Sequence, residues 1–262
     1  MNEQEQMKIF YEIFDTSLTR LGPGENDSTQ KALDTLLSYR IGHCDKSLAA
    51  TQLRILDLGC GNGAQTIQLA KQANCTILAV DNHQPFLDEL RRRAEIEGVA
   101  DKIQTLLGDM STLNLEKGSF DIIWSEGALY SMGFLNGLET YHARLIPDGL
   151  FAASELCWFD NEAPEECRQF FANEYPAMTT VASNLDAIKA RKYEVLEHFA
   201  LPESAWWEYY LPLEKRLEEY RDKYSDDPGK IAIVDSLQME VDFYRKYSAH
   251  YGYVFFLLRK CA

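Results

Sequence analysis

The sequence predicts an α/β fold, a parallel sheet covered by helices on both faces. Three observations predict it. From Leu53 to Ser154, short apolar runs alternate with helical stretches, the pattern of strand–helix–strand units. A glycine-rich turn, Asp57-Leu58-Gly59-Cys60-Gly61-Asn62-Gly63, joins the first of these strands to the helix after it, and open parallel sheets bind ligands at the carboxyl ends of their strands. The chain closes on Tyr251 to Leu258, an aromatic and aliphatic run that reads as a last, central strand.

The elements follow in order. Met7, Phe10, Tyr11 and Phe14 fall at helical spacing, and Leu21-Gly22-Pro23-Gly24 breaks the pattern. Ser28-Thr29 opens a second helix, with Ala32, Leu33, Leu36 and Leu37 on its apolar side. Strands are predicted at Leu53 to Leu58, Thr76 to Asp81, Ile103 to Leu107, Phe120 to Trp124 and Leu150 to Ser154. Helices are predicted between them at Ala64 to Gln72, Phe86 to Glu97 and Leu135 to Leu145. Beyond Trp158, residues 160–192 read as a helical insertion and Tyr193 to Leu201 as a sixth strand, with helices near 212–224 and 230–249. The whole, 1–262, reads as one domain: a helical segment at 1–50, a core at 51–158 and helical insertions within 160–250 that cap it.

Charge narrows the partners. The 262 residues carry 26 basic and 41 acidic side chains, a formal net charge of −15. Residues 1–159 hold 22 acidic and 13 basic side chains, and residues 160–262 hold 19 and 13, so neither part is basic. Phosphate backbones and anionic membrane surfaces are bound through Lys and Arg, which argues against nucleic acid and membrane as partners. No apolar run is long enough to span a bilayer, and the start, Met1-Asn2-Glu3-Gln4-Glu5, does not read as a signal peptide. The six cysteines, Cys44, Cys60, Cys75, Cys157, Cys167 and Cys261, form no C-x-x-C pair. A cytoplasmic protein with reduced thiols is expected.

The chemistry-bearing residues stand at strand ends. Asp57 precedes the glycines and is expected at the rim of the crevice. Asp81 ends the second strand, where an acid accepts hydrogen bonds from both hydroxyls of a ribose. Asp109, in Gly108-Asp109-Met110, ends the third, where it suits an adenine amino group with Met110 on the ring; it equally suits a cap for the turn at Ser111-Thr112. Gly59-x-Gly61-x-x-Ala64 also fits the dinucleotide fingerprint, which makes NAD the competing ligand. Asp57 argues against it, because a carboxylate suits an ammonium-bearing ligand better than a pyrophosphate.

These motifs resemble the cofactor motifs of class I S-adenosylmethionine-dependent methyltransferases, over about residues 50–158 and, more loosely, the final strand. Trp124-Ser125-Glu126-Gly127-Ala128-Leu129-Tyr130, Ser154-Glu155-Leu156-Cys157-Trp158-Phe159 and Tyr251-Gly252-Tyr253 resemble a bacterial small-molecule subgroup near the ubiquinone/menaquinone-methylase-like enzymes. The resemblance implies a Rossmann-like seven-stranded sheet, order 3-2-1-4-5-7-6, with strand 7 antiparallel. It places Gly59, Gly61 and Gly63 in the turn against the methionine part of S-adenosyl-L-methionine, with Asp57 toward its amino group. Asp81 and Asn82 fall at the ribose, Asp109 and Met110 at the adenine, and Glu126 at the start of the acceptor-side loop. Arg20 is a candidate partner for the cofactor carboxylate. The family's nucleobase and glutamine methylases carry Asn/Asp-Pro-Pro-Tyr/Phe after strand four; Ser125-Glu126-Gly127-Ala128 stands there instead, which argues against nucleobase methylation.

The expected activity is methyl transfer to a small-molecule acceptor, its O, N, S or C atom open. An NAD-dependent oxidoreductase and a non-catalytic cofactor-binding module are the alternatives. Glu126, Tyr130 and Glu155 are the candidates to face the reacting atoms, with Cys157 beside them; Glu126 and Tyr130 equally suit a structural hydrogen bond and a packing role. Positioning alone supplies up to roughly 7–11 kcal/mol in such displacements, so no strong base is required. His43, His83, His142, His198 and His250 show no ligand spacing, and no metal is expected. Trp158, Phe159, Phe170, Phe171, Tyr175, Trp206, Trp207, Tyr209 and Tyr210 suit either a lid or the core of the inserted helices. The sequence leaves the oligomeric state open.

Overall fold

The computed structural model describes residues 2–43 and 52–262; Cys44 and the end of the predicted N-terminal segment lie outside them. The elements are α1 (Glu3–Ile13), α2 (Asn26–His43), β1 (Leu53–Leu58), α3 (Ala64–Gln72), β2 (Cys75–Asp81), α4 (Gln84–Ile96), β3 (Ile103–Leu107), β4 (Phe120–Glu126), α5 (Phe134–His142), β5 (Leu145–Trp158), α6 (Glu165–Glu174), β6 (Thr179–Thr180), α7 (Val181–Ala190), β7 (Tyr193–Ala200), α8 (Glu203–Lys223), α9 (Pro228–Tyr247) and β8 (Tyr251–Lys260). Two short 3₁₀ turns lie at Ala100–Lys102 and Leu129–Met132.

Burial on both faces is why β1, β4 and β8 are nearly continuous apolar runs. Their sheet has the order β3-β2-β1-β4-β5-β8-β7, with β6 paired to β5. β8 runs antiparallel to both β5 and β7. With the two-residue β6 set aside, this is the expected order 3-2-1-4-5-7-6. Along β8 the side chains alternate between faces. Phe255 and Leu257 join a core with Ala32, Leu33, Leu36, Leu69 and Leu90. Phe256 and Leu258 join a second with Leu56, Ile123, Leu138, Tyr141 and Phe151. A third cluster, the helical cap, unites α1, α6, α8 and α9 through Ile9, Ile13, Phe171, Trp206, Tyr210, Val241 and Tyr244.

Several boundaries differ from expectation. α1 ends at Ile13, with Phe14 as its C-cap, so the glycine–proline stretch belongs to a connector rather than to the helix end. α5 stops at His142 and Leu145 already pairs with Phe120 of β4. α8 starts at Glu203, nine residues ahead of the predicted 212, and runs through Pro212. Proline removes one helical hydrogen bond. Ala205, Trp206, Tyr209 and Tyr210, all buried on that helix, supply the packing that carries it past the break. The insertion at 160–192 is two helices with β6 between them.

Candidate functional site

A cleft of about 470 Å³ opens at the carboxyl ends of β1 to β4. Its floor is the turn after β1. Gly59 and Cys60 donate their amides to the Val80 carbonyl at 2.9 Å, which folds the turn over the end of β2. Gly59 has φ +69°, and a Cβ there would meet Ala128 Cβ at 2.3 Å. Only glycine lets the turn lie against the loop after β4. Gly59 and Gly61 line the cleft. Gly63 is placed elsewhere: it sits at the N-cap of α3, where a Cβ would strike Leu90 Cδ1 at 2.2 Å. Its role is the packing of α3 on α4.

The carboxylates divide sharply. Asp81 lines the cleft with Asn82. Its Oδ2 accepts the Gly61 amide at 2.9 Å and its Oδ1 the His83 amide at 2.9 Å. Burial raises its pKa, with those backbone donors opposing. Asp109 and Met110 also line the cleft. Asp109 Oδ1 accepts from both the amide and the hydroxyl of Ser111, at 2.8 and 2.7 Å, so the residue is a turn cap as well as a cleft residue. Asp57 corrects the expectation of a rim position. It is fully buried and forms no part of the cleft wall. Thr66 Oγ1 donates to its Oδ2 at 2.6 Å and Gln65 Nε2 to its Oδ1 at 3.4 Å. Burial, reinforced by the Glu126 and Asp81 charges, pushes its pKa up to about 7. Its path to the cleft runs through Gln65, which does line it.

A connector closes the cleft from the N-terminal side. Phe10, Tyr11 and Phe14 form part of the wall, and Tyr11 stacks on His83 with ring centroids 3.7 Å apart. Asn62 Nδ2 donates to the Leu18 carbonyl at 2.6 Å. Arg93 donates to the carbonyls of Thr16, Leu18 and Thr19. Arg20 and Glu126 meet in the wall, Arg20 Nη1 lying 3.6 Å from Glu126 Oε2. Glu126 Oε1 also accepts from Thr29 Oγ1 at 2.8 Å and Trp124 Nε1 at 2.9 Å. Burial raises the Glu126 pKa while Arg20 and these donors oppose it. One of its oxygens is therefore committed to structure. Thr29, Asn62, Gln65 and Arg93 were not singled out as site residues from the sequence; Thr29, Asn62 and Arg93 act across long sequence separations, which leave no local spacing signal, whereas Gln65 reaches Asp57 only eight residues away.

A second cavity of about 320 Å³ adjoins the first under the cap. Phe10, Phe14, Leu21, Gly22, Pro23, Gly127, Tyr130 and Tyr253 border both. Of the three candidates for the reacting atoms, Tyr130 stands at this junction. Glu126 is in the wall of the first cavity. Glu155 lines neither; it is buried and accepts a hydrogen bond from the Tyr175 phenol, which does line the second. Burial lifts the Glu155 pKa to about 7. Cys157 is buried, takes a hydrogen bond from Asn184 Nδ2 at 3.2 Å and borders neither cavity. Within the aromatic set of the C-terminal part, Trp206, Tyr209 and Tyr210 are buried in the third cluster and also wall the second cavity. Among the described residues, no group of three or more His, Cys, Asp or Glu converges as a metal site. Among the same residues, no helix is long and apolar enough to cross a membrane.

Residues 55–149 match the family model described as a methyltransferase domain. The sterol 24-C-methyltransferase erg6 of Aspergillus fumigatus is 26% identical over 170 residues, 61% of this chain and 45% of that protein. The carboxy-S-adenosyl-L-methionine synthase of Shewanella halifaxensis is 28% identical over 131 residues, 47% of this chain and 52% of that protein. The chain thus spans about half the length of these curated relatives. A SAM-dependent methyltransferase from Geobacter sulfurreducens, solved with S-adenosyl-L-homocysteine, superposes with a TM-score of 0.77 at 22% identity. That match covers 97% of this chain and 98% of the other, so the likeness extends through the cap. Residues 55–149 thus match a methyltransferase domain, and the strand order and the glycine turn agree with the fold that the class I resemblance implies.

Proposed function

We propose that the protein transfers a methyl group from S-adenosyl-L-methionine to a small-molecule acceptor. The observation that carries this reading is the cleft wall. Asp81, fixed by two backbone amides, faces the same space as Arg20, Asp109 and Met110. The donor set fits the cofactor. Asp81 and Asn82 would hold the ribose hydroxyls, and Asp109 and Met110 the adenine. Gly59 and Gly61 would bring the backbone against the methionine part. Arg20 would meet its carboxylate, and Asp57 would act on its ammonium by charge through Gln65. When bound, the sulfonium supplies an already activated methyl group.

The protein's own work is then to seat the acceptor and exclude water. Tyr130, Gly127 and Tyr253 stand where the two cavities meet and are the residues positioned to orient the acceptor. Glu126, held by Thr29, Trp124 and Arg20, fixes the loop that carries Gly127 and Tyr130. It acts as a positioning residue. Glu155 holds the Tyr175 phenol and so shapes the acceptor cavity without entering it. Positioning of this kind accounts for catalysis without a dedicated base.

The dinucleotide alternative fits less well. The Gly61 amide, which a pyrophosphate would need, is donated to Asp81, and three carboxylates, Asp57, Asp81 and Glu126, surround the turn. Free thiols at Cys60, Cys75, Cys157, Cys167 and Cys261 support a cytoplasmic setting. The test is formation of S-adenosylhomocysteine from S-adenosylmethionine across a panel of hydroxyl, amine, thiol and activated-carbon acceptors. Turnover with at least one class is expected. Tight cofactor binding with no turnover on any of them would point instead to a non-catalytic binding module.

A further inference from the structure

The second cavity has a chemical character of its own. Its walls are aromatic, with Phe171, Trp206, Tyr209, Tyr210, Tyr251 and Tyr253 among them. Two carboxylates, Glu174 and Glu240, line it, and among the described residues no Lys, Arg or His does. Glu240 Oε1 accepts a hydrogen bond from Tyr210 Oη at 2.9 Å. Burial raises the Glu240 pKa, the Tyr210 hydrogen bond opposes it, and the like charge of Glu174 raises it further. A partly buried carboxylate with no ion pair among the described residues is unfavourable by itself. Its field reaches the ring hydroxyls of Tyr130 and Tyr253, which border both cavities.

An independent observation points to a ligand. The Tyr251 hydroxyl is buried, has no hydrogen-bond partner among the described residues and belongs to a side chain that lines this cavity. A buried hydroxyl normally finds a partner.

We propose that the acceptor is an organic cation, a compact molecule held by a protonated amine or a quaternary ammonium while a separate nucleophilic atom takes the methyl group from the sulfonium and gives up its proton to solvent. It is seated against the aromatic faces with Glu240 as its counter-ion and Tyr251 bonded to a polar group beside it. Aromatic faces attract cations, most strongly where water is excluded. Two carboxylates repel an acceptor that carries a carboxylate or phosphate. A volume of about 320 Å³ lies at the small end of ligand cavities and admits only a compact apolar body. The proposal rests on the methyl-transfer reading for the word acceptor, but the preference for a cation is a property of the cavity.

Calorimetry with 2-phenylethylamine, 2-phenylethanol and phenylacetate tests it, with and without S-adenosylhomocysteine present. The amine is expected to bind at least roughly ten-fold more tightly than the other two. Glu240→Gln, which keeps an oxygen for Tyr210, is expected to erase that preference. Glu174→Gln, at an exposed position, is expected to reduce it and serves if Glu240→Gln does not fold. Equal binding of the three probes, binding by none at millimolar concentration, or a preference untouched by both substitutions overturns the proposal. A cation preference in a protein that binds no S-adenosylhomocysteine would uphold the cavity's selectivity and overturn methyl transfer instead.

Discussion

Asp57 and Asp81 both belong to strand ends, yet their surroundings give them opposite uses. Asp81 faces open space and keeps two amide donors. Asp57 is sealed under the turn with Thr66 and Gln65. Removing the Asp81 carboxylate deletes charge-assisted hydrogen bonds, so Asp81→Ala should weaken S-adenosylhomocysteine binding by roughly 10–100-fold in calorimetry; an unchanged affinity would remove Asp81 from the ribose site. Asp57 makes a prediction about pH. Its folded pKa, about 7, lies above the ordinary carboxylate value of 3.8. The folded chain therefore holds a proton that the unfolded chain has released, and this contribution to stability is lost as pH rises from about 4 through 7. Asp57→Asn has no such penalty. It should melt at higher temperature than the parent at pH 8, by the equivalent of about 2–4 kcal/mol, with the gap closing toward pH 5. A gap of the same size at both pH values would contradict the buried, raised carboxyl. Such environments were not legible in the sequence: Asp57 was visible as an acid before the glycines, but its burial depends on β2 and β4 flanking β1.

At the scale of the element, what could be read was periodic and what could not was tertiary. β1, α3 and β3 fall at the predicted residues because each is short, uniform and bounded by strong signals such as Gly63. The start of α8 was hidden by Pro212, whose local cost is outweighed by aromatic packing on the same helix. The glycine turn was legible as a motif, and the structure assigns its glycines different mechanical tasks. Gly59→Ala should cost about 2–4 kcal/mol, because it combines a positive φ with a contact at 2.3 Å. Gly98→Ala, with φ +69° and open space around it, should cost only about 1 kcal/mol. Denaturant unfolding of the two variants checks this, and equal losses would mean that the approach to Ala128 is not tight. α1 contributes Phe10 and Tyr11 to the cleft wall. Its amides should exchange rapidly without cofactor and slow when S-adenosylhomocysteine is bound, as measured by hydrogen exchange; protection that does not change would remove α1 from the cofactor's cover.

At the scale of the molecule, two cavities share one border, and that arrangement is the account's central claim. One cavity is formed by the parallel strand ends and the other by the cap, so a cofactor and an acceptor would meet at Gly127, Tyr130 and Tyr253. The net charge of −15 suits solubility and a cationic cofactor better than a polyanion. The sheet order was legible through the resemblance of its motifs, and Phe170, Phe171, Tyr175, Trp206, Tyr209 and Tyr210 were legible as lid candidates; that they wall one cavity was not, because its walls come from α1, α6, α8, α9 and β8, far apart in the chain. The most direct measurement is calorimetric titration of the intact protein with S-adenosylmethionine, S-adenosylhomocysteine and NAD. The account predicts one site for the first two at micromolar affinity, weakened together by Asp81→Ala, and little or no binding of NAD. Failure of both sulfur nucleotides to bind at millimolar concentration, or tighter binding of NAD, would contradict it.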